Sequence, residues 1–152
     1  MTEHWIIRIG TGDHFERSSK FSIWGINSKD KTNTSKFIKE ATEGDILWFV
    51  TSKSKGKAIA VSVFKEMKKR ITGPLINLSL TNKELGWTDY DGEWDMEICY
   101  KELYNIRSLN ILTRIRSPRT YRRYSDNLDK IPVNLIEEYE KIVKYSNITM
   151  KI

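Results

Sequence analysis

Residues 44–50, GDILWFV, place a turn signal in front of an unbroken apolar run. Consecutive apolar side chains point to both sides of a β-strand, so such a strand is stable only where both of its faces are covered. The chain must therefore build layers above and below this segment. At 152 residues it has the length for one domain with a real core, and not for two comfortable ones. The stretch KAIAVSVFKEM (57–67) pairs with it, because the Lys-rich connection TSKSKGK (51–57) reads as a hairpin loop.

Four more stretches carry strand patterning. HWIIRIG (4–10) opens the chain, with Trp5, Ile7 and Ile9 on one face and Arg8 on the other. SIWGI (22–26) is a short strand with Trp24 at its centre. EWDMEICYK (93–101) alternates, with Trp94, Met96, Ile98 and Tyr100 inward and Asp95, Glu97 and Lys101 outward. RSLNIL (107–112) is a further strand. TGDHFERSSK (11–20) is a loop leading into a short helical turn, with Asp13 placed as an N-cap. TSKFIKEA (34–41) is a short amphipathic helix with Phe37, Ile38 and Ala41 inward. NLIEEYEKIVKY (134–145) carries an apolar stripe of Leu135, Ile136, Tyr139, Ile142 and Val143; Asn134 and Glu137 fit a capping box behind Pro132. The expected architecture is α+β: a small, curved, six-stranded, mostly β barrel flanked by short helices and a C-terminal helix, formed by residues 1–152 as a single domain. Trp5, Trp48 and Trp94 are expected in its core.

Charged residues make up 30% of the chain and the formal net charge is +6. A basic domain favours polyanions, nucleic acid first and an anionic membrane surface second, although a basic surface also serves plain solubility. Cys99 is the lone cysteine, so no internal disulfide forms and a reducing compartment is expected. One Cys and two His, His4 and His14, argue against a four-ligand zinc site. The N-terminus has no signal pattern and no apolar run approaches a membrane span. These features describe an intracellular protein, cytoplasmic or nuclear, a monomer without membrane, metal or cofactor.

No Gly-rich phosphate loop, nucleophile elbow or His pair at metal spacing is present. His14 has the chemistry of a general base, but no Ser or Cys partner can be named for it. Asp89, Asp91, Glu93, Asp95 and Glu97 are dense, yet the last three alternate along a strand and read as a solvated face. Aromatic placement is more informative. Trp24, Trp87 and Tyr90 stand beside Gly, Asn, Asp and Thr, and LGWTDYDGEW (85–94) puts two large rings among turn-forming residues. Such rings either fold back over the core or stack on a flat ligand, where a base gains about 1–3 kcal/mol per contact. RIRSPRTYRR (114–123) carries five Arg in ten residues with Tyr121 among them. Pro118 argues against a helix there, leaving a basic loop suited to phosphate contacts and to stacking by Tyr121, or a solvated charged loop.

These segments resemble the YTH domain and its EVE and other PUA-like relatives. The likeness rests on SSKFSIWGINS, then GDILWFV with its hairpin, then DGEWDMEICYKELYNI, and it follows the element order over most of the chain. It implies a reader of modified bases: YTH domains hold N6-methyladenine in an aromatic cage, and EVE-like relatives are linked to modified bases in DNA or RNA. By that resemblance Trp24 is the first cage wall, Tyr90 the second and Trp87 the third, with Leu85 as the alternative match. Gly25 and Asn27 offer backbone and polar contacts to the base. Asp13 or His14 takes the position that reads the adenine edge. Arg8, with Arg122 and Arg123, falls at the family's backbone-contacting positions, and Lys20 with Arg116 and Arg119 of the Arg-rich loop would add sequence-independent phosphate contacts. Tyr90 where the family has Trp, and His14 at the edge-reading position, are departures that leave open N6-methyladenine or a modified cytosine.

Three functions follow as expectations. The first is a non-catalytic binder of RNA or DNA through one modified base. The second is an enzyme on a PUA-like scaffold using His14 and Asp13, and the third a basic module that docks an acidic protein.

Overall fold

The computed structural model describes residues 2–9, 13–26, 31–51, 57–69, 96–110, 121–129, 131 and 133–150. Strand β1 (His4–Arg8) is followed by helix α1 (Asp13–Ser18), a 3₁₀ turn (Ser19–Phe21), β2 (Ile23–Ile26), α2 (Lys31–Glu40), β3 (Ile46–Val50), β4 (Lys57–Lys69) and β5 (Met96–Asn110). A two-residue strand β6 (Arg122–Arg123), a second 3₁₀ turn (Tyr124–Asp126) and helix α3 (Leu135–Met150) complete the order.

All six strands join one mixed sheet in the order β2-β5-β4-β3-β1-β6. Strands β1 and β3 are parallel, with Trp5 opposite Leu47 and Ile7 opposite Phe49, and the other pairs are antiparallel. The run in β3 is covered on both faces, as its composition requires. Leu47 and Phe49 join Trp5, Ile7, Phe15, Phe37, Ile98 and Tyr100 on one side. Ile46, Trp48 and Val50 join Ile6, Tyr124, Ile131 and Leu135 on the other, where Tyr139 and Ile142 of α3 pack down. Trp5 and Trp48 are fully buried. Trp94 lies outside the described residues.

The sheet curls. Strands β2 and β6 stand at opposite ends of the strand order, yet the Trp24 indole N–H of β2 donates to the hydroxyl of Tyr121, beside β6, at 2.8 Å. The two edges therefore approach each other across the first core, which gives a curled half-barrel in an α+β fold.

Five details depart from the sequence pattern. The described parts of the segments 93–101 and 107–112, expected as separate strands, belong to one 15-residue strand, β5. It stays paired with β4 by shifting register three times, and Glu102 adopts φ 53; such irregularities let a long strand bend without leaving its partner. Glu97, expected outward, is only 2% exposed, because β5 is an inner strand here and Glu97 lies opposite Gly25 on β2 and Lys68 on β4. Arg122 and Arg123, expected in a basic loop, pair with Ile6 and Trp5 of β1. Ile136, expected on the buried stripe of α3, is 51% exposed, since one helical step rotates it about 100° away from Leu135. The Asn134 half of the expected capping box forms on α3: Asn134 Oδ1 accepts the amides of Ile136 and Glu137 at 3.1 and 3.2 Å. Helix α2 begins at Lys31, three residues ahead of the expected start.

Candidate nucleic-acid interface

Trp24 sits on an edge strand, partly buried against the first core. Its ring tilts on Phe15 with centroids 6.0 Å apart, and its N–H is taken up by Tyr121. The ring is thus held at two points, by packing and by a hydrogen bond. Tyr121 itself is core rather than a surface ring: it is buried and meets Phe37 edge-on at 5.8 Å. The residues that fix Trp24 are the part that sequence reasoning missed. Phe15 carried a signal, since it falls on the inner side of the helical turn; Tyr121 was masked by the five surrounding arginines.

Gly25 is buried beside Trp24, opposite Glu97. The strand is entered through Ser22, a non-glycine residue in the left-handed region (φ 57, ψ 42), a conformation that costs about 1–2 kcal/mol. Two bonds hold Ser22 there: its N–H donates to the Ser19 carbonyl, and its carbonyl accepts the Tyr100 amide, each at 3.1 Å. Asp13 and His14 open α1, in the layer that carries Phe15. Asn27, Trp87, Tyr90, Arg116 and Arg119 lie outside the described residues, as does the alternative Leu85.

The described cations divide between the two faces of the sheet. Arg8 alternates with Ile6 along β1, and Arg122 is the direct neighbour of Ile6 on β6, so both belong to the α3 side. Burial lowers the pKa of Arg8, and the nearby Arg122 guanidinium lowers it further. The Nε of Arg122 is buried with no hydrogen-bond partner among the described residues. Arg123 points to the opposite face, with its guanidinium 5.9 Å from the centre of the Trp5 ring. It is committed to Asp126, through bonds of 3.1 and 3.2 Å, and to Glu40 at 3.5 Å. The hydrogen bond to Asp126 raises its pKa, and Lys36 and Arg123 together lower that of Asp126. Lys20 is exposed in the 3₁₀ turn that precedes β2.

A second polar group fixes the sheet under this site. Asp45 accepts from the Trp5 indole at 3.0 Å, the Thr42 amide at 2.9 Å and the Glu3 amide at 3.1 Å. His4 is buried on the α3 side, where its Nδ1 accepts the Trp48 indole N–H at 3.0 Å. Burial pushes its pKa down to about 4, against a smaller upward pull from Asp45. Among the described residues there is no group of three or more His, Cys, Asp or Glu placed to hold a metal, and no helix is long and apolar enough to cross a membrane.

Comparison with solved structures identifies the architecture. The Pho92 YTH domain, solved in complex with m6A, superposes with a TM-score of 0.52 at 17% identity, over 84% of this chain and 80% of that one. The YTH domain of Zygosaccharomyces rouxii MRB1 protein, solved with N6-methyladenosine RNA, gives a TM-score of 0.50 at 11% identity, over 92% and 85% of the two chains. The fold is YTH-like. No protein-family model matches the chain, and no curated protein matches it. The YTH-like likeness is therefore one of backbone architecture, carried with few of the same residues.

Proposed function

We propose that this chain, acting as one domain, is a non-catalytic reader that holds a single modified base of RNA, or of DNA, against Trp24. The observation that carries the reading is Trp24 itself. A partly buried indole stands on an edge strand, fixed from behind by Phe15 and Tyr121, in a fold shared with domains solved on methylated adenosine. Because Tyr121 already occupies the indole N–H, the ring offers a ligand its π face, which suits stacking on a flat base. Trp87 and Tyr90 complete the cage in this reading. Gly25 and Asn27, with Asp13 or His14, meet the polar edge of N6-methyladenine or a modified cytosine. The EVE and PUA-like kinship implied by the resemblance belongs to the same reading.

Phosphate contacts come from Lys20 near the cage and from the Arg8 and Arg122 pair, with Arg116 and Arg119. The Arg122 guanidinium disfavours the charge on Arg8, and an anion placed beside the two would relieve that repulsion, which supports a phosphate there. Arg123 contributes to a lesser degree, since Asp126 and Glu40 already hold it.

The test is a fluorescence titration of wild type and Trp24→Ala with short single strands, unmodified or carrying N6-methyladenine, 5-methylcytosine or 5-hydroxymethylcytosine. A gain with one modification that disappears in the variant is expected, together with a steep loss of affinity as salt rises. Equal, salt-sensitive binding of every strand by both proteins would leave only a basic surface and remove the base-reading role.

A further inference from the structure

Phe21 is a large aromatic residue that the fold leaves in solvent. Its side chain is 54% exposed, although the backbone around it is tightly fixed. Ser18, just before the 3₁₀ turn, is fully buried. Ser19 Oγ donates to the Glu16 carbonyl at 2.9 Å, and Ser22 is pinned by the bonds to Ser19 and Tyr100 described above. A freely moving loop would let the ring turn inward; this one does not. The left-handed Ser22 turns the chain between Phe21 and Ile23, so that Ile23 is buried while Phe21 faces out.

Position and charge say what such a ring can meet. Phe21 stands three residues ahead of Trp24, a span of at most about 10 Å along the chain. Its 3₁₀ turn follows α1 directly, and Phe15 of α1 packs on Trp24. Lys20 is its neighbour in the turn, and Arg17 lies four residues earlier, one helical turn away; both are exposed. Glu16, also exposed, falls about 140° round from Phe21 by helical spacing. An aromatic face with two exposed cations to one side of it matches a base and its phosphates, since every base has a π face and stacking is tolerant of sequence. An acidic protein partner would use the cations and leave the ring without a role.

We propose that Phe21 is a second stacking platform, taking the nucleotide next to the one held at Trp24 while Lys20 and Arg17 receive its phosphate. This rests on the base-reading role proposed for Trp24. It adds a distinct consequence: the protein reads a short strand rather than an isolated base, and part of its affinity comes from a flanking nucleotide of any sequence.

The experiment compares wild type, Phe21→Ala, Phe21→Trp and Trp24→Ala against two kinds of probe. One is a set of five-nucleotide RNA and DNA strands, unmodified or with a central modified base. The other is the corresponding free nucleosides. Phe21→Ala should weaken binding of the best strand by about 5- to 150-fold, the range of one lost base stack. It should leave nucleoside binding unchanged, and Phe21→Trp should retain strand affinity. Since the ring is exposed, thermal melting of all Phe21 variants should match wild type. Equal strand affinity for Phe21→Ala and wild type, with Trp24→Ala still defective, would overturn the platform and leave the Trp24 reading intact. A Trp24→Ala variant that binds every strand as wild type does would overturn the reading and this inference with it, as would a wild type that binds no strand. A Phe21→Ala change in sedimentation from dimer to monomer, without a change in strand affinity, would make the surface a self-association site and equally overturn the inference.

Discussion

Acid should weaken this fold through His4. In the unfolded chain the imidazole titrates near 6.5, whereas in the folded protein burial pushes its pKa to about 4. Between those values the unfolded chain binds a proton that the native state refuses, so stability is fully present above pH 6.5 and falls as the pH drops towards 4. The geometry agrees. Nδ1 accepts the Trp48 N–H at 3.0 Å, and the edges of Tyr124 and Tyr139 close the ring in. Protonation at Nδ1 would set two donors against each other inside an aromatic box. One pKa unit is worth about 1.4 kcal/mol, so the loss over the window is on the order of 3 kcal/mol, at no more than about 1.4 kcal/mol per pH unit. Below pH 4 this contribution flattens, because both states are then protonated. Urea unfolding of wild type and His4→Gln at pH 7.0, 5.5 and 4.5 isolates the effect, since titration of other groups largely cancels in the difference. The wild-type curve should descend more steeply than that of the variant by roughly 1 kcal/mol per pH unit. Parallel curves would refute the reasoning and mean that His4 takes up its proton without losing its native place.

Asp45→Ala should be among the most damaging single changes: it orphans the Trp5 indole and the amides of Glu3 and Thr42, each worth about 1–3 kcal/mol when left unsatisfied. A loss of at least about 3 kcal/mol in urea unfolding is expected, and a loss below 1 kcal/mol would show that water replaces the carboxylate. Asp126→Ala removes ion pairs to Lys36 and Arg123, but these are exposed, so its cost should stay within about 1 kcal/mol and shrink in high salt.

The parts of the fold legible in the sequence were those with strong local periodicity. The doubly covered run at 46–50, the alternation of Trp5 and Ile7 against Arg8, and the Asn134 cap each state their environment within a few residues. What escaped was set by long-range pairing. Nothing between 102 and 106 announces that β5 continues through Glu102, because a bulge spends one residue on geometry and erases the period of two. Glu97 looks like any solvated strand carboxylate until β2 lies down beside it. The site divides in the same way. Trp24 was legible because a large ring beside Gly25 and Asn27 is unusual, but its partner Tyr121 lies 97 residues on in sequence, inside a run of charges that dominates any local reading. Arg122 and Arg123, part of one group by composition, fall on opposite faces because β6 alternates like any other strand.

The bond between Trp24 and Tyr121 gives this arrangement a consequence for binding. The same indole draws the two edges of the half-barrel together and presents the proposed wall, so the orientation of the wall depends on a residue that touches no ligand. Tyr121→Phe keeps the packing against Phe37 and removes only the hydroxyl. Trp24→Phe keeps a ring and removes the N–H. In unfolding experiments Tyr121→Phe should cost about 1 kcal/mol, Trp24→Phe more because it also gives up packing on Phe15, and the double variant little more than Trp24→Phe alone, since both delete the same bond of 2.8 Å. Strand binding should show the same non-additivity. Tyr121→Phe should weaken binding where Trp24 is present, because a freed indole must be reoriented for every ligand, and should have no further effect in the Trp24→Phe background. Strictly additive losses in both measurements would mean that the hydroxyl acts on the core alone and that Phe15 suffices to hold the wall.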